Sequence, residues 1–306
     1  MEVKLKTINI NDLDQKTLKI YENLKGQVNS VFKNSHECSF KTRETYKERV
    51  DMFAKFLAVE YRKQNIRKIS NEHLTHYVEY LQEKGLSTSY VTTSVSAIRY
   101  FYKKAVGEQF KIKSNKALGV NSRTKEERIG NDRAISDEEY AELLEKTRND
   151  GRKEYEYGVK LGLVLGLRIS EFYKVRVSQI REAIKTGRIE IKGKGGYVRT
   201  NPLGVEGKEL LIEILKTNTS DNDRIFVMKN EKTHKKIKIF EDYIRKTRKE
   251  QGKEYTYHSL RHRFAQKLYT CLINQGLSDY EARMIVSRRL GHNRIDITDT
   301  YLESIE

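Results

Sequence analysis

Residues 188–203 read RIEIKGKGGYVRTNPL, and this stretch decides the fold class because the apolar period changes within it. Ile189 and Ile191 alternate onto one face, the run from Gly193 to Gly196 supplies a turn, and Tyr197 to Pro202 return, which is the pattern of a β-hairpin. On both sides the period is helical. From Val205 onward the chain reads as helices, and upstream AISDEEYAELLEKTR (134–148) opens a helix with Ser136 as N-cap and Glu139 completing a capping box. A domain therefore starts near Arg133 and contains the hairpin. The expected fold class is mainly α with a small β-sheet.

The preceding half carries only helical periods. Tyr46, Val50, Phe53, Leu57 and Tyr61 recur at steps of four, three, four and four, drawing one apolar stripe down a helix. Leu74, Tyr77, Val78 and Leu81 repeat it between caps at Ser70 or Asn71 and a stop at Gly85. Val91, Val95, Ile98 and Tyr102 form the buried edge of a third helix, capped by Ser87, Thr88 or Ser89, and Lys16 to Val31 form another at the front. From Phe110 to Arg133 the period vanishes, and seven basic residues against three acidic ones suit an exposed linker that touches phosphates. The expected domains are an N-terminal extension with a helix over 1–39, a helical domain over 40–109, a basic linker over 110–132 and a second domain over 133–306. No repeat with a period of roughly 20 to 50 residues suggests a solenoid.

A chain of 306 residues can bury two ordinary cores. Its 60 Lys and Arg against 43 Asp and Glu leave a net charge of +17, a surplus suited to a polyanionic partner such as nucleic acid. Residues 1–132 hold 25 basic and 16 acidic side chains and the remainder 35 and 27, so both halves suit that partner. No stretch approaches the ~20 apolar residues of a membrane span, and no apolar run follows the basic start MEVKLKTINI, so no membrane partner and a cytoplasmic location are expected. Cys38 and Cys271 sit in no CxxC pair, which leaves a disulfide scaffold or a zinc ribbon without support. No GxxxxGK[ST] run indicates a P-loop ATPase.

Four stretches of the second domain gather basic and phenolic groups: LGLRISE (165–171), IKGKGGYVR (191–199), HSLRHRFA (258–265) and LGHNRIDITDTYL (290–302). Cutting a phosphodiester without a metal requires neutralisation of its non-bridging oxygens, a nucleophile, and an acid for the departing 5′ oxygen. Arg168 and Arg261 offer guanidinium forks that grip the equatorial oxygens of a phosphorane bidentately. His258 and Arg261, three apart, share one helix face. Lys194 sits in the hairpin turn, mobile enough to protonate the leaving oxygen, with Lys192 as its substitute. Tyr301 is the candidate nucleophile, because a phenolate attacks phosphorus and leaves again readily. A phenol with an ordinary pKa of about 10 needs neighbouring positive charge or a base, which His258, His292 and the two arginines would provide.

In order and separation these stretches resemble the signature of the tyrosine recombinases, the phage-integrase family that includes the chromosome-dimer resolvases. The match comprises GLRISE, GKG within a hairpin, HSLRHRFA, and LGH with a tyrosine nine residues after its histidine. SFKTRETYKERVDMFAKFL (39–57) and the helix ending SAIRYFYKKA (96–105) look like the four-helix core-binding domain, so the resemblance covers nearly the whole chain from Phe40. It implies a SAM-like core-binding domain followed by a mixed α+β catalytic domain. It also implies site-specific recombination of duplex DNA through a 3′-phosphotyrosyl intermediate, with no cofactor, metal or ATP. By matching position, Arg168 and Arg261 would clamp the phosphate, Lys194 would act as general acid and His258 would assist proton transfer from the nucleophile. His292 would bind the scissile phosphate, Tyr301 would form the covalent bond, and Glu171 would buttress rather than react. In the first domain Thr92, Arg99 and Lys103, beside Thr93 and Lys104, are candidates to enter the major groove, and Arg199 of the hairpin is a further candidate DNA contact. The implied assembly is a homotetramer on two duplexes, each protomer a two-domain basic clamp, serving integration, excision or resolution of a mobile element. Two features depart from the family pattern. The five residues LESIE after Tyr301 stand where members continue into a helix that docks on a neighbouring subunit, and the residues before Phe40 are fewer than an arm-binding domain needs. A simple recombinase without arm sites is expected.

Each residue also has an ordinary explanation. An Arg three before a Glu is usually a surface pair worth ~0.3 kcal/mol, but the apolar run LGLVLGL (161–167) sets Arg168 in a segment where a charge requires a purpose. A Gly-Lys-Gly turn is most often a solvated hairpin tip. His258 and His262, four apart, imitate half a zinc site, yet the HExxH glutamate is absent and His262 reads as structural. Asp296 and Asp299 suit a cap or a salt bridge better than a nuclease metal. Two rival functions are a type IB topoisomerase-like DNA relaxer, which rejoins the same strand, and a non-catalytic DNA-binding accessory protein, against which six intact signature positions count.

Overall fold

The computed structural model describes residues 11, 13–33, 35, 37–107, 111–124, 127, 132–217, 223–292, 295 and 298–302, with the backbone alone at Lys194. The chain divides into two compact units, residues 1–124 and 125–306.

The first unit contains α1 (Gln15–Lys33), α2 (Phe40–Tyr61), α3 (Asn71–Glu83) and α4 (Thr88–Ala105). The apolar stripe read from α2 faces inward: Val50, Phe53 and Leu57 are fully buried, each contributing ~1.5–3 kcal/mol by burial. Leu74, Tyr77, Val78 and Leu81 of α3 and Val91, Val95, Ile98 and Tyr102 of α4 join the same core. Ser39 and Ser87 cap α2 and α4 by accepting from the backbone N–H groups of Thr42 and Tyr90. Helix α1 is the helix expected at the front of the chain. It buries Ile20, Tyr21, Leu24, Val28 and Phe32 in this core and packs on α2 and α4.

The segment expected to be an exposed linker from residue 110 is in its first half a strap. Leu118 and Val120 are buried in the unit's core, around a single 3-10 turn at Lys116–Leu118. Side-chain amides hold the strap by its backbone: Asn71 bonds Lys111 O and Lys113 N at 3.3 and 2.9 Å, and Gln82 bonds Gly119 O and Asn121 N at 3.2 and 3.0 Å. Arg99 joins them, donating to Asn115 Oδ1 and Lys113 O, both at 2.6 Å. Its guanidinium, expected in the major groove, is therefore committed within the chain. Thr92 is half-buried and Lys103 is exposed. Phe110 lies outside the described residues.

The second unit holds α5 (Asp137–Asn149), α6 (Lys153–Val164), α7 (Ile169–Phe172) and α8 (Val177–Thr186), then strands β1 (Arg188–Lys192) and β2 (Val198–Pro202). After them come α9 (Gly204–Thr217), α10 (Thr233–Glu250), α11 (Tyr257–Asn274), α12 (Asp279–Leu290) and the short α13 (Asp299–Leu302). The capping box at the head of α5 forms as read, with Ser136 Oγ accepting from Glu139 N at 3.1 Å and Glu139 Oε2 from Ser136 N at 2.9 Å. Helix α11 occupies the centre, packing on α6, α12 and α13. The strands pair antiparallel with Ile191 opposite Arg199, and alternation buries Ile189 and Ile191 on β1 and Arg199 and Asn201 on β2. Asn201 Nδ2 donates to Arg289 O at 2.9 Å, tying the hairpin to α12. Among the described residues no helix is long and apolar enough to cross a membrane.

Candidate active site

Three turns of backbone deliver the charged groups. Gly166 adopts φ +62° after α6, and a Cβ there would meet the Phe264 ring at 2.4 Å, so only glycine lets the chain bend over α11. The bend places Arg168 at the head of α7 with Glu171 one turn later. Gly291 adopts φ +72° at the end of α12, with Arg199 against it, and sets His292 facing inward. Helix α11 contributes His258, Arg261 and His262 from its first turns.

Glu171 is the hub. Its buried carboxylate accepts from Arg168 N at 2.9 Å, Arg168 Nη1 at 2.8 Å, and both terminal nitrogens of Arg199 at 2.9 and 2.8 Å, with Arg261 Nη1 3.9 Å away. Burial alone would raise its pKa, but the hydrogen bonds and charge of Arg199, with Arg168, hold it at about 2. Arg199 is only 5% exposed, which corrects its expected role as a DNA contact: strand alternation turns it inward, onto the face of Ile191. Replacing Arg199 by Ala leaves the carboxylate short of two charge-assisted bonds and is expected to lower unfolding stability by about 2 kcal/mol, seen as an earlier urea midpoint. Arg199→Lys, which keeps the charge but not the fork, should recover less than half of that.

Arg261 is completely buried. Its Nη1 donates to Gly166 O at 2.6 Å and its Nη2 to Leu290 O, so two of the signature stretches supply the carbonyls that aim it. Burial pushes its pKa down to about 10, which leaves it a cation at neutral pH. Nη2 of Arg168 and Nη2 of Arg261 lie 3.3 and 3.5 Å from His292 Nε2. Guanidinium nitrogens only donate, so His292 Nε2 is the acceptor and Nδ1 carries the ring proton.

Tyr301 completes the cluster. Its hydroxyl oxygen lies 3.3 Å from His258 Nε2 and 3.5 Å from His292 Nε2, and its ring leans on that of His262 with centroids 4.4 Å apart. Asp299 anchors α13 by accepting from Arg283 at 2.9 Å, the ordinary salt-bridge role. Asp296 lies outside the described residues. The structure thus brings Arg168, Glu171, His258, Arg261, His292 and Tyr301 into one cluster. Lys194 is placed by its backbone in the turn between the strands, and its side chain lies outside what is described; Lys192 ends β1, exposed. His262, read as merely structural, is a ring partner of Tyr301, and its spacing of four from His258 already put both on one face.

Burial, then the charges of Arg261 and Arg168, push the His258 and His292 imidazoles down to about 4. Burial followed by His258 and Arg133 pushes His262 down to about 3. His258 is an exposed residue, which screens its share of the effect, so sealed His262 weighs most. The unfolded chain binds protons on these rings near pH 6.5 while the folded chain does not. Stability is therefore expected to fall as pH drops from 7 to 5, and denaturant midpoints across that window check it. An unchanged midpoint would contradict the neutral assignment.

Residues 133–306 match the phage integrase family, and residues 32–109 match the phage integrase N-terminal SAM-like domain. The tyrosine recombinase XerC of Natranaerobius thermophilus is 26% identical over 256 residues, covering 76% of this chain and 78% of the relative. Among solved structures, a lambda integrase dimer bound to a COC′ core site aligns with a TM-score of 0.62 at 16% identity, over 95% of this chain and 81% of that one. The XerH site-specific recombinase bound to palindromic difH substrate, a post-cleavage complex, aligns with a TM-score of 0.60 at 18% identity, over 95% and 88%. The two structural matches speak for the fold.

Proposed function

Because the chain belongs to the phage integrase family and is a tyrosine site-specific recombinase, we propose that it cuts and rejoins duplex DNA through a 3′-phosphotyrosyl bond to Tyr301. The observation that carries this reading is the meeting of the Tyr301 hydroxyl with two imidazoles, one of them shared with two guanidiniums. A scissile phosphate seated beside His292 takes the donors of Arg168 and Arg261 on its non-bridging oxygens, where charge grows in the phosphorane. Tyr301 Oη attacks phosphorus as His258, neutral at pH 7, accepts the phenolic proton. The bond from phosphorus to the 5′ oxygen breaks, and Lys194 supplies the proton that oxygen needs. In the reverse step a 5′ hydroxyl of the partner duplex attacks the phosphotyrosine and releases Tyr301. One ester replaces another throughout, so the reaction needs neither a nucleotide nor a metal. Cutting every strand of two duplexes takes one tyrosine per cut, which requires four protomers.

A duplex carrying the target site and a nick just 3′ of the cleavage point, which lets the short fragment bearing the freed 5′ hydroxyl diffuse away, tests the scheme. In EDTA the protein should accumulate an adduct through the 3′ phosphate, and the peptide bearing the DNA should contain Tyr301. Failure to trap an adduct on a duplex that the chain binds specifically would overturn it. Equilibrium binding should weaken steeply with salt, the logarithmic slope being about −0.9 per phosphate neutralised, and a flat response would exclude this phosphate-gripping mode.

A further inference from the structure

Beside the cluster lies a cleft of about 430 Å³ whose lining includes two catalytic candidates, Arg168 and His258, and two arginines with no place in the chemistry, Arg245 and Arg248 of α10. We propose that this cleft seats the phosphodiester adjacent to the scissile one on the cleaved strand, gripped by Arg245 and Arg248; the assignment rests on the reading of the site given above.

Continuity comes first. A phosphate held by Arg168 leaves its neighbours on the strand one nucleotide away, where successive phosphates advance by about 3.4 Å along the helix axis. A groove that begins at Arg168 and His258 is thus within reach of one flanking phosphate. Charge comes second. Three guanidiniums and one carboxylate, Glu241, line the cleft, and although Glu171, Asp242 and Glu254 pair with those arginines from outside the lining, the lining itself is net cationic and attracts an anion. The hydroxyls of Ser170 and Thr256 line it too and can donate to phosphate oxygens, while Ile244 and Tyr255 give it an apolar floor suited to a deoxyribose. The arginines are also available. Arg245 is 67% exposed and pairs at 2.8 Å with the exposed Asp242, an attachment worth little in water. Arg248 uses one nitrogen, Nη1, both to donate to Tyr255 O at 3.1 Å and to meet the fully exposed Glu254 at 3.8 Å, a loose pair worth little in water, so Nη2 and Nε are left for an anion.

The probe is a nicked duplex selected from a randomised pool for binding to the full chain, carrying one neutral methylphosphonate walked along each strand. Arg245→Gln, at an exposed position, should fold normally and raise the half-saturating DNA concentration about tenfold, with a salt slope smaller by about one. Arg248→Gln should do the same. Wild type should lose a similar factor from a methylphosphonate at one position flanking the cleavage point, 5′ or 3′, and there the two variants should lose nothing more. Effects that multiply at every position, or a wild type indifferent to both flanking positions, would overturn the assignment. A protein that shows this binding pattern on one flanking pair yet forms no covalent adduct would refute Tyr301 as nucleophile while leaving the cleft as a phosphate seat.

Discussion

Tyr301→Phe binds its DNA as the wild type does and yields no covalent adduct: this is the expected result, and the largest single effect the site allows. The substitution deletes one oxygen. The ring that leans on His262 remains, as does the anchoring of α13 through Asp299 and Arg283. The hydroxyl's contacts with His258 and His292 are long, at 3.3 and 3.5 Å, so their loss should change stability by no more than about 1 kcal/mol. Chemistry behaves otherwise, because no other hydroxyl in the described cluster stands where phosphorus would be attacked. The measurement is a denaturing gel of the nicked substrate, run beside a binding titration of the same preparations. An adduct surviving in the phenylalanine variant would move the nucleophile to another residue.

Removing one fork of the clamp should cost nearly as much. Arg168→Ala is expected to slow cleavage by about 10²–10³, the ~3–4 kcal/mol lost with a donor that meets developing oxyanion charge. Arg168 is the cleaner choice of the two arginines. It is partly exposed, and after its removal Glu171 keeps both bonds from Arg199, so the fold should survive. Arg261→Ala would strand the carbonyls of Gly166 and Leu290 in a sealed interior and confuse folding with catalysis. Single-turnover cleavage at saturating DNA separates the barrier from binding. An undiminished rate would remove Arg168 from the mechanism.

The parts of the fold that were legible in the sequence are those with a period or a cap. The stripe on α2, the serine caps and the alternation around the hairpin are local signals, and the structure answers each of them. The strap over 111–121 carries no such signal, because Asn71, Gln82 and Arg99 hold it from helices that are remote in sequence. Its two buried residues, Leu118 and Val120, are too few to make a pattern among lysines. For the site, residue types and spacing marked the four stretches, and the backbone brings them together. Their mutual support stayed hidden, since Arg199 looks like any other basic residue of a hairpin until the pairing with Ile191 turns it inward. Alternation along the hairpin places position 199 on the inward face, whereas its positive charge alone points to DNA. His262 is the structural histidine its missing zinc partner suggests, and its helical offset of four from His258 is what sets its ring against Tyr301.

Glu171 ties residues from three distant segments to one carboxylate, and this limits how the protein can be rebuilt. A chimaera that borrows the hairpin of a distant homologue must bring an arginine in register with position 199, or the graft arrives without its anchor. Deep mutational scanning should show the same constraint as strong epistasis among positions 168, 171 and 199, while surface positions of α4 such as Lys103 vary independently. Retargeting such an enzyme to a new sequence is therefore a task for the outer surface, with the arginine–glutamate knot passed on intact.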